Sequence, residues 1–348
     1  MRAINEKQTA APRFSVLIPC YNVEKYIEEC IYSVLNQSFG DWEIVAVDDG
    51  STDATGEILD RFSAELGQKL SVVHTVNNGL LLARREAVRH AQGAYAVCLD
   101  SDDALREDAL ELIDAAICAS PGALVQFKLC RKPDYTGDSY PCLDDLPCCK
   151  TVDISRLRRS ICESAAFNNL CGKAIPLRAI NIHDDYSKYG HVKNGEDLLQ
   201  LLPIVDACDT VVYLNEPLYF YRPNDGSITR NYNPGMYQSV KTVNEVLREY
   251  AKGWSDPSLN DLLRRRWIDS ILNLFRNLGL SDYSLRELRS AVANLRDDDF
   301  FEESWPMSKG ELSGRSGLLM RLFASRHLLL VAISIDLARR KLRLKNAR

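Results

Sequence analysis

The apolar positions in the first third of this chain fall into two alternating patterns. Residues 14–18, 44–47, 71–74 and 95–99 are short apolar runs, each of a length and continuity that reads as a buried parallel strand. Between them, apolar residues recur at helical spacing: Ile27, Cys30, Ile31, Val34 and Leu35; then Ile58, Leu59 and Phe62; then Ala83, Ala87, Val88 and Ala91. A fourth set, Leu110, Ile113, Ala116 and Ile117, follows the last of these strands. Pro19 stops the first strand, Asn22 is placed to cap the next helix, and Ser51 or Asp53 to cap the one after. Strand and helix alternate with short connections, which predicts a doubly wound α/β sheet.

The pattern then changes. Residues 128–150 are rich in Pro, Gly, Asp and Cys and predict an irregular excursion with a hairpin. Helical spacing returns at Ile154, Leu157 and Ile161, and residues 168–181 read as strand, turn and helix around Cys171-Gly172-Lys173. Asn194-Gly195-Glu196-Asp197 opens a leucine-rich helix, and two strands are expected at 210–214 and 218–221. Beyond Asn233 the spacing is helical throughout, as in Met236, Val240, Val243 and Leu247 or Ile268, Ile271, Leu272 and Phe275. A domain boundary is expected near residue 232, giving an α/β domain over 1–232 and a helical region over 233–348.

At 348 residues and 46% hydrophobic composition, the chain can bury two cores. Its net charge of −5 argues against a general nucleic-acid binder. The charge is unevenly spread: residues 315–348 hold nine Lys/Arg against Asp336 alone, a net of +8 that leaves −13 on the rest. The apolar runs in this tail are too short to span a bilayer, and a basic amphipathic helix lying on an anionic membrane surface is expected, with a packed helix as the alternative. No secretory signal is visible in residues 1–12, so a cytoplasmic location is expected, peripheral on the inner face of the membrane. The eleven cysteines are odd in number and irregular in spacing, which fits reduced thiols. Cys142, Cys148 and Cys149 cluster without the paired C-x-x-C that a zinc site needs.

Candidate chemistry lies where strands end in acid. Asp100-Ser101-Asp102-Asp103 follows the strand at 95–99, and Asp48-Asp49-Gly50-Ser51 follows the one at 44–47. In an open α/β sheet both would stand at the carboxyl edge, where ligands bind. Carboxylates so close repel one another, and a hard divalent cation that bridges to phosphates relieves this. The alternative is structural, with Ser101 or Asp102 capping a helix from about Arg106.

Val16-Leu17-Ile18-Pro19-Cys20-Tyr21-Asn22, Val47-Asp48-Asp49-Gly50-Ser51-Thr52-Asp53 and Leu99-Asp100-Ser101-Asp102-Asp103 together resemble the three signatures of family 2 glycosyltransferases, over roughly residues 13–230. The resemblance implies the GT-A fold with a mixed sheet, a nucleotide-diphosphosugar donor and Mn²⁺ or Mg²⁺ at a D-x-D motif. Carried onto this sequence, it implies that Pro19, Cys20 and Tyr21 line the nucleotide pocket and that Asp49 accepts the N3–H of a uracil or thymine ring, a turn acid in its D-G-S-T-D loop being the alternative. It sets Asp100 and Ser101 by the ribose, Asp102 on the metal with Asp100 beside it, and Asp103 behind. Gly79 and Arg84 match the family's loop and helix before the fourth strand, with Arg84 directed to the base or a phosphate. Here the chain departs from the pattern: Leu80-Leu81-Leu82-Ala83-Arg84-Arg85 carries Leu and Arg where small residues and Asn are usual.

Glu196-Asp197 resembles the family's E-D motif, in which the aspartate is the general base; the alternative is that both acids only cap their helix. The strand ending at Arg222 and the loop at Ser227-Ile228-Thr229 look like a family ending, in which Arg222 would reach the diphosphate and the loop close over the donor; the alternative is an ordinary edge-strand arginine. His183, Asp184, Asp185 and His191 lack metal-site spacing and are expected in an acceptor-side loop.

The expectation is a metal-dependent inverting, hexosyltransferase-like enzyme. It would move a sugar, UDP-linked, to a hydroxyl of a glycan or lipid-linked acceptor in cell-surface polysaccharide synthesis. A nucleotidyltransferase would carry a Gly-rich, Lys/Arg-bearing loop after the first strand, and Pro19-Cys20-Tyr21-Asn22 is not one. The remaining alternative is a catalytically inactive subunit that binds nucleotide-sugar or acts as a scaffold.

Overall fold

Every residue of β1 (Phe14–Cys20) is buried, as expected of a strand between parallel neighbours. The chain continues through α1 (Ile27–Leu35), β2 (Trp42–Asp48), α2 (Thr55–Leu66), β3 (Leu70–His74), α3 (Leu80–His90) and β4 (Tyr95–Cys98). Strands β2 and β4 flank β1, and β3 lies outside β2, all parallel. The computed structural model describes residues 11–143, 145, 148–223, 231–298, 301 and 314–346. It has two compact units, one of residues 1–158, 166–190 and 196–223, the other of 159–165, 191–195 and 224–348.

In the first unit, β5 (Ala104–Leu105), α4 (Ala109–Ala119), β6 (Leu124–Cys130), β7 (Ser139–Tyr140) and β8 (Thr151–Asp153) lead to α5 (Ser155–Glu163), which runs into the second. Then come β9 (Lys173–Pro176), α6 (Glu196–Ala207) and β10 (Thr210–Phe220). The sheet order is β3-β2-β1-β4-β9-β6-β10-β5. Strand β9 runs antiparallel to both β4 and β6, which makes the sheet mixed. The excursion after residue 128 does contain a hairpin, β6 against β7.

Five local expectations are corrected. Pro19 does not stop the first strand, which runs on through it to Cys20, and the cap position of α2 is held by Ala54, not Ser51 or Asp53. The strands expected at 210–214 and 218–221 are one strand, β10, because Asn215-Glu216-Pro217 is absorbed as a register shift against β6 instead of a turn. Residues 168–181 run turn, strand β9 and a single 3₁₀ turn (Leu177–Ala179), not strand, turn and helix. Asn22 caps no helix: α1 begins at Ile27 with Tyr26 in the cap position. Instead Asn22 takes φ of 51° and its side chain accepts the Thr52 N–H at 2.8 Å, tying the loop after β1 to the loop after β2.

The second unit contains α7 (Met236–Gly253), α8 (Leu259–Leu278), α9 (Leu285–Arg296), α10 (Gly314–Ala324) and α11 (Leu328–Asn346). Ser284 and Glu287 form a reciprocal capping box at the start of α9, satisfying two orphan amides. Trp267, Ile271, Phe275, Leu288, Val292 and Val331 share one core. Within it Phe323 meets Phe275 and Phe301 edge-on, with centroids at 5.1 and 4.8 Å.

Candidate active site

The site is built from the loops at the carboxyl ends of β1, β2 and β4. After β2, Gly50 has φ of 74°, and a Cβ there would lie 2.7 Å from the Asn77 nitrogen, so the turn requires glycine. The turn lets Asp49 face inward, where its carboxylate accepts the N–H groups of Asn78 at 2.9 Å and Gly79 at 2.7 Å. Asp49 therefore pins the start of α3. It is buried, and these are backbone contacts a sequence reading did not anticipate.

Asp100-Ser101-Asp102-Asp103 forms a tight turn between β4 and β5, with the Asp103 N–H donating to the Asp100 carbonyl at 3.0 Å. The helix-cap alternative fails, because α4 starts only at Ala109 and neither Ser101 nor Asp102 caps it. Tyr219 on β10 holds the turn from below. Its hydroxyl accepts the Asp100 N–H at 3.0 Å and donates to the Asp103 carboxylate at 2.7 Å. Arg222 holds it from the side: its backbone N–H donates to Asp103 at 2.8 Å and its Nε to the Asp102 carbonyl at 2.7 Å. Burial, with the charges of Asp100 and Asp102, pushes the Asp103 carboxyl up to about 8. Negative potential at this turn is thus only partly offset.

The residue that joins the two halves of the site is Arg84. From α3 its guanidinium donates to Asp100 at 2.7 Å and, through its other arm, to Asp197 in the first turn of α6. Burial alone would lower the arginine's pKa, but Asp197 and Asp100 hold it well above its ordinary value. Burial likewise opposes ionisation of Asp100, yet the Arg84 charge brings its carboxyl below the usual range. The second Asp100 oxygen accepts the Cys171 thiol at 3.1 Å, and the second Asp197 oxygen faces the Leu170 N–H at 3.4 Å. Glu196 is pushed up, first by burial and then by Asp197.

Two side-chain expectations change. Arg84 spends both arms on carboxylates, where a base or phosphate contact was expected. The Cys20 side chain lies in the core, its thiol donating to the Ile18 carbonyl at 3.5 Å, so only its backbone faces the sheet edge. Tyr21 beside it is exposed, whereas Pro19 and Ser101 are buried. Arg222 is engaged with the acidic turn and with Glu29 at 2.7 Å. The loop at Ser227-Ile228-Thr229 lies outside the described residues. His183, Asp184 and Asp185 lie in one segment of the first unit, while His191 belongs to the second, its ring 3.2 Å from the Thr242 hydroxyl.

The sequence reading missed Tyr219 and Cys171 as supports of the acids, and also Lys173 and Arg85. Lys173 is fully buried and donates to the carbonyls of Phe167 at 3.0 Å and Asn169. Burial lowers its pKa to about 7, with Asp197 opposing the shift. Arg85 is buried beside Arg84; it donates to the Asn181 carbonyl and stacks over the Tyr186 ring at 5.0 Å.

The fit to a divalent cation is limited by what these groups already do. Among the described residues no three His, Cys, Asp or Glu side chains converge on one point. Both Asp100 oxygens have partners, and Asp102 is partly exposed at the tip of the turn. Such a set fits a hard ion that takes one or two carboxylate oxygens and its remaining ligands from a diphosphate and water.

The sequence profile described as Glycosyl transferase family 2 matches residues 15–150, which takes in all three strand-end loops of the site. The chain is 30% identical over 228 residues to the putative teichuronic acid biosynthesis glycosyltransferase TuaG of Bacillus subtilis, covering 63% of this chain and 82% of TuaG. The chain belongs to glycosyltransferase family 2. Glycosyltransferase GlyA of Streptococcus pneumoniae is 29% identical over 228 residues, 63% of this chain but only 32% of GlyA. The crystal structure of S. aureus TarS 1–349 in complex with UDP-GlcNAc superposes with a TM-score of 0.62 at 21% identity, over 94% of this chain and 89% of that one. The family 2 chain described here therefore has the GT-A fold, a mixed α/β sheet, and carries helices after it.

Proposed function

We propose that this family 2 glycosyltransferase transfers a sugar with inversion from a UDP-sugar to a hydroxyl of a glycan or lipid-linked acceptor, with Asp197 as general base. The observation that carries the reading is the Arg84 bridge. It brings the acid of the D-x-D turn and the acid of the E-D motif, 97 positions apart (100 and 197), to the two arms of one guanidinium. Two acids that merely capped separate helices would have no reason to share a buried cation.

The chemistry follows from this arrangement. An inverting displacement needs a carboxylate that takes the acceptor's proton as its oxygen attacks the anomeric carbon on the face opposite the leaving diphosphate. Asp197 is held by Arg84 with its second oxygen in a weak contact, which leaves that oxygen available to the acceptor. A positioned base of this kind contributes about 10²–10⁴-fold. Asp102, with Asp100, would hold Mg²⁺ or Mn²⁺ against the diphosphate, and that ion would supply charge stabilisation for the leaving group. Asp49 orders the loop under which a uracil would lie, with Pro19, the Cys20 backbone and Tyr21 as its neighbours.

Cell-surface glycan assembly is the proposed setting, supported by TuaG and by 39% identity over 106 residues to a Staphylococcus aureus poly(ribitol-phosphate) beta-N-acetylglucosaminyltransferase, TarS. That second match covers 30% of this chain and 18% of TarS. A thermal-shift panel of nucleotide sugars, with and without Mn²⁺, tests the donor assignment, because a ligand of the native state raises its stability. Stabilisation by UDP-sugars that grows with Mn²⁺ is expected; stabilisation by GDP- or CMP-sugars alone would overturn it.

A further inference from the structure

Helix α11 has two faces, and only one is accounted for by the core of its unit. Val331, Ala332 and Ile335 are buried there. On the same side, Arg339 donates to the carbonyls of Ser281 and Tyr283 at 3.1 and 2.8 Å. On the other side Leu329, Leu330 and Leu337 are 46, 48 and 57% exposed. At about 100° per residue, these three leucines, Ile333, Arg340 and Lys341 fall within one arc of about 120°. The face is apolar along its length and basic at its far end.

Helix α10 repeats the combination. Leu318 is 55% exposed, and exposed Arg315 and Arg321 flank it at i−3 and i+3. Among the described residues, four of the ten large hydrophobic side chains left exposed belong to these two helices. No described helix is long and apolar enough to cross a membrane, so the face is suited to lying on a surface.

We propose that the exposed face of α10 and α11 docks on an anionic lipid bilayer, with the leucines entering the headgroup boundary and the basic side chains pairing with lipid phosphates. Charge decides between the candidate occupants. The described face shows exposed Arg315, Arg321, Arg340 and Lys341, Arg340 also pairing with the buried Asp336 at 2.7 Å, so the same face of a second copy would meet like charge, whereas an anionic bilayer offers both an apolar layer and the opposite sign. Leucines alone would suit any apolar partner. Leucines spaced with arginine and lysine at three and four residues match the two layers of a lipid surface. The inference is independent of the donor site, so its failure would leave the proposed transfer reaction untouched.

The test is flotation of the full chain with vesicles of phosphatidylglycerol and phosphatidylcholine, against phosphatidylcholine alone. Two variants are compared, Leu329→Ser/Leu337→Ser and Arg340→Ala/Lys341→Ala, with circular dichroism as the folding control. The expected result is flotation with the anionic vesicles only. It should be lost in the leucine variant and weakened about 25-fold in the basic variant, at about fivefold per charge. Absence of wild-type flotation with anionic vesicles overturns the proposal, as does equal flotation of folded variants. Concentration-dependent self-association by light scattering that disappears in the leucine variant, without vesicle binding, would assign the face to a second copy and also overturn it.

Discussion

Arg84 and Asp197 are 113 residues apart in the chain and joined by a hydrogen-bonded ion pair, with the arginine buried and the carboxylate 21% exposed. The same arginine holds Asp100. Removing it would leave two carboxylates facing each other without a counter-charge, which is costlier than losing an isolated surface pair. Arg84→Met is expected to lower unfolding free energy by about 3 kcal/mol or more. Arg84→Lys should fall between the two, since one ammonium cannot fork to both acids. Urea denaturation with unchanged m-values checks this; a midpoint equal to wild type in Arg84→Met would refute the bridge.

Tyr219 supports the acidic turn with a single oxygen that both accepts and donates. Tyr219→Phe keeps the ring and leaves the Asp103 carboxylate and the Asp100 N–H without that partner. A loss of about 1–3 kcal/mol in stability is expected. Donor affinity should weaken with it, because Asp102 sits on the same turn. Chemical denaturation and donor titration read the two effects separately.

Arg85 anchors a segment of the first unit through the Asn181 carbonyl and the Tyr186 ring. Arg85→Met should release that segment while leaving the acidic turn in place. Hydrogen exchange is the measurement. Amides of residues 182–189 should exchange faster, by tenfold or so for each ~1.4 kcal/mol of lost anchoring. Those at Leu99 and Asp103 should be unchanged.

Lys173 gives a pH prediction. Its pKa is about 7 in the folded chain, below its ordinary value near 10.5, because burial disfavours the charged form. Between those two values the unfolded chain binds a proton that the folded chain does not, so stability rises with pH across that window. Below about 7 both forms are protonated and the penalty is constant. The stability difference between wild type and Lys173→Met should therefore grow in favour of wild type from pH 7 to pH 9. A flat difference would mean that Lys173 is not buried as described.

The alternation of strands and helices in the first unit was legible because parallel strands, covered on both faces, are written as continuous apolar runs. The acids at the strand ends were legible because a sheet of this kind presents its carboxyl edge as the site. Cys20 was misplaced although the means to place it were present: it follows Phe14, Val16 and Ile18 at a period of two, and all four lie in the same core. Strand β9 was harder. Its four residues begin with a lysine, which ordinarily marks a surface, and only insertion between β4 and β6 explains why Lys173 is buried. The destination of Arg84 was not legible at all, because it depends on α3, α6 and the turn after β4 meeting in the fold.

The most direct test of the account is Asp197→Asn, using the nucleotide sugar that the thermal-shift panel selects. The substitution keeps the side chain's shape and removes the charge that accepts a proton. The account predicts donor affinity within a few-fold of wild type and transfer reduced by about 10²–10⁴-fold. Transfer at the wild-type rate would contradict it.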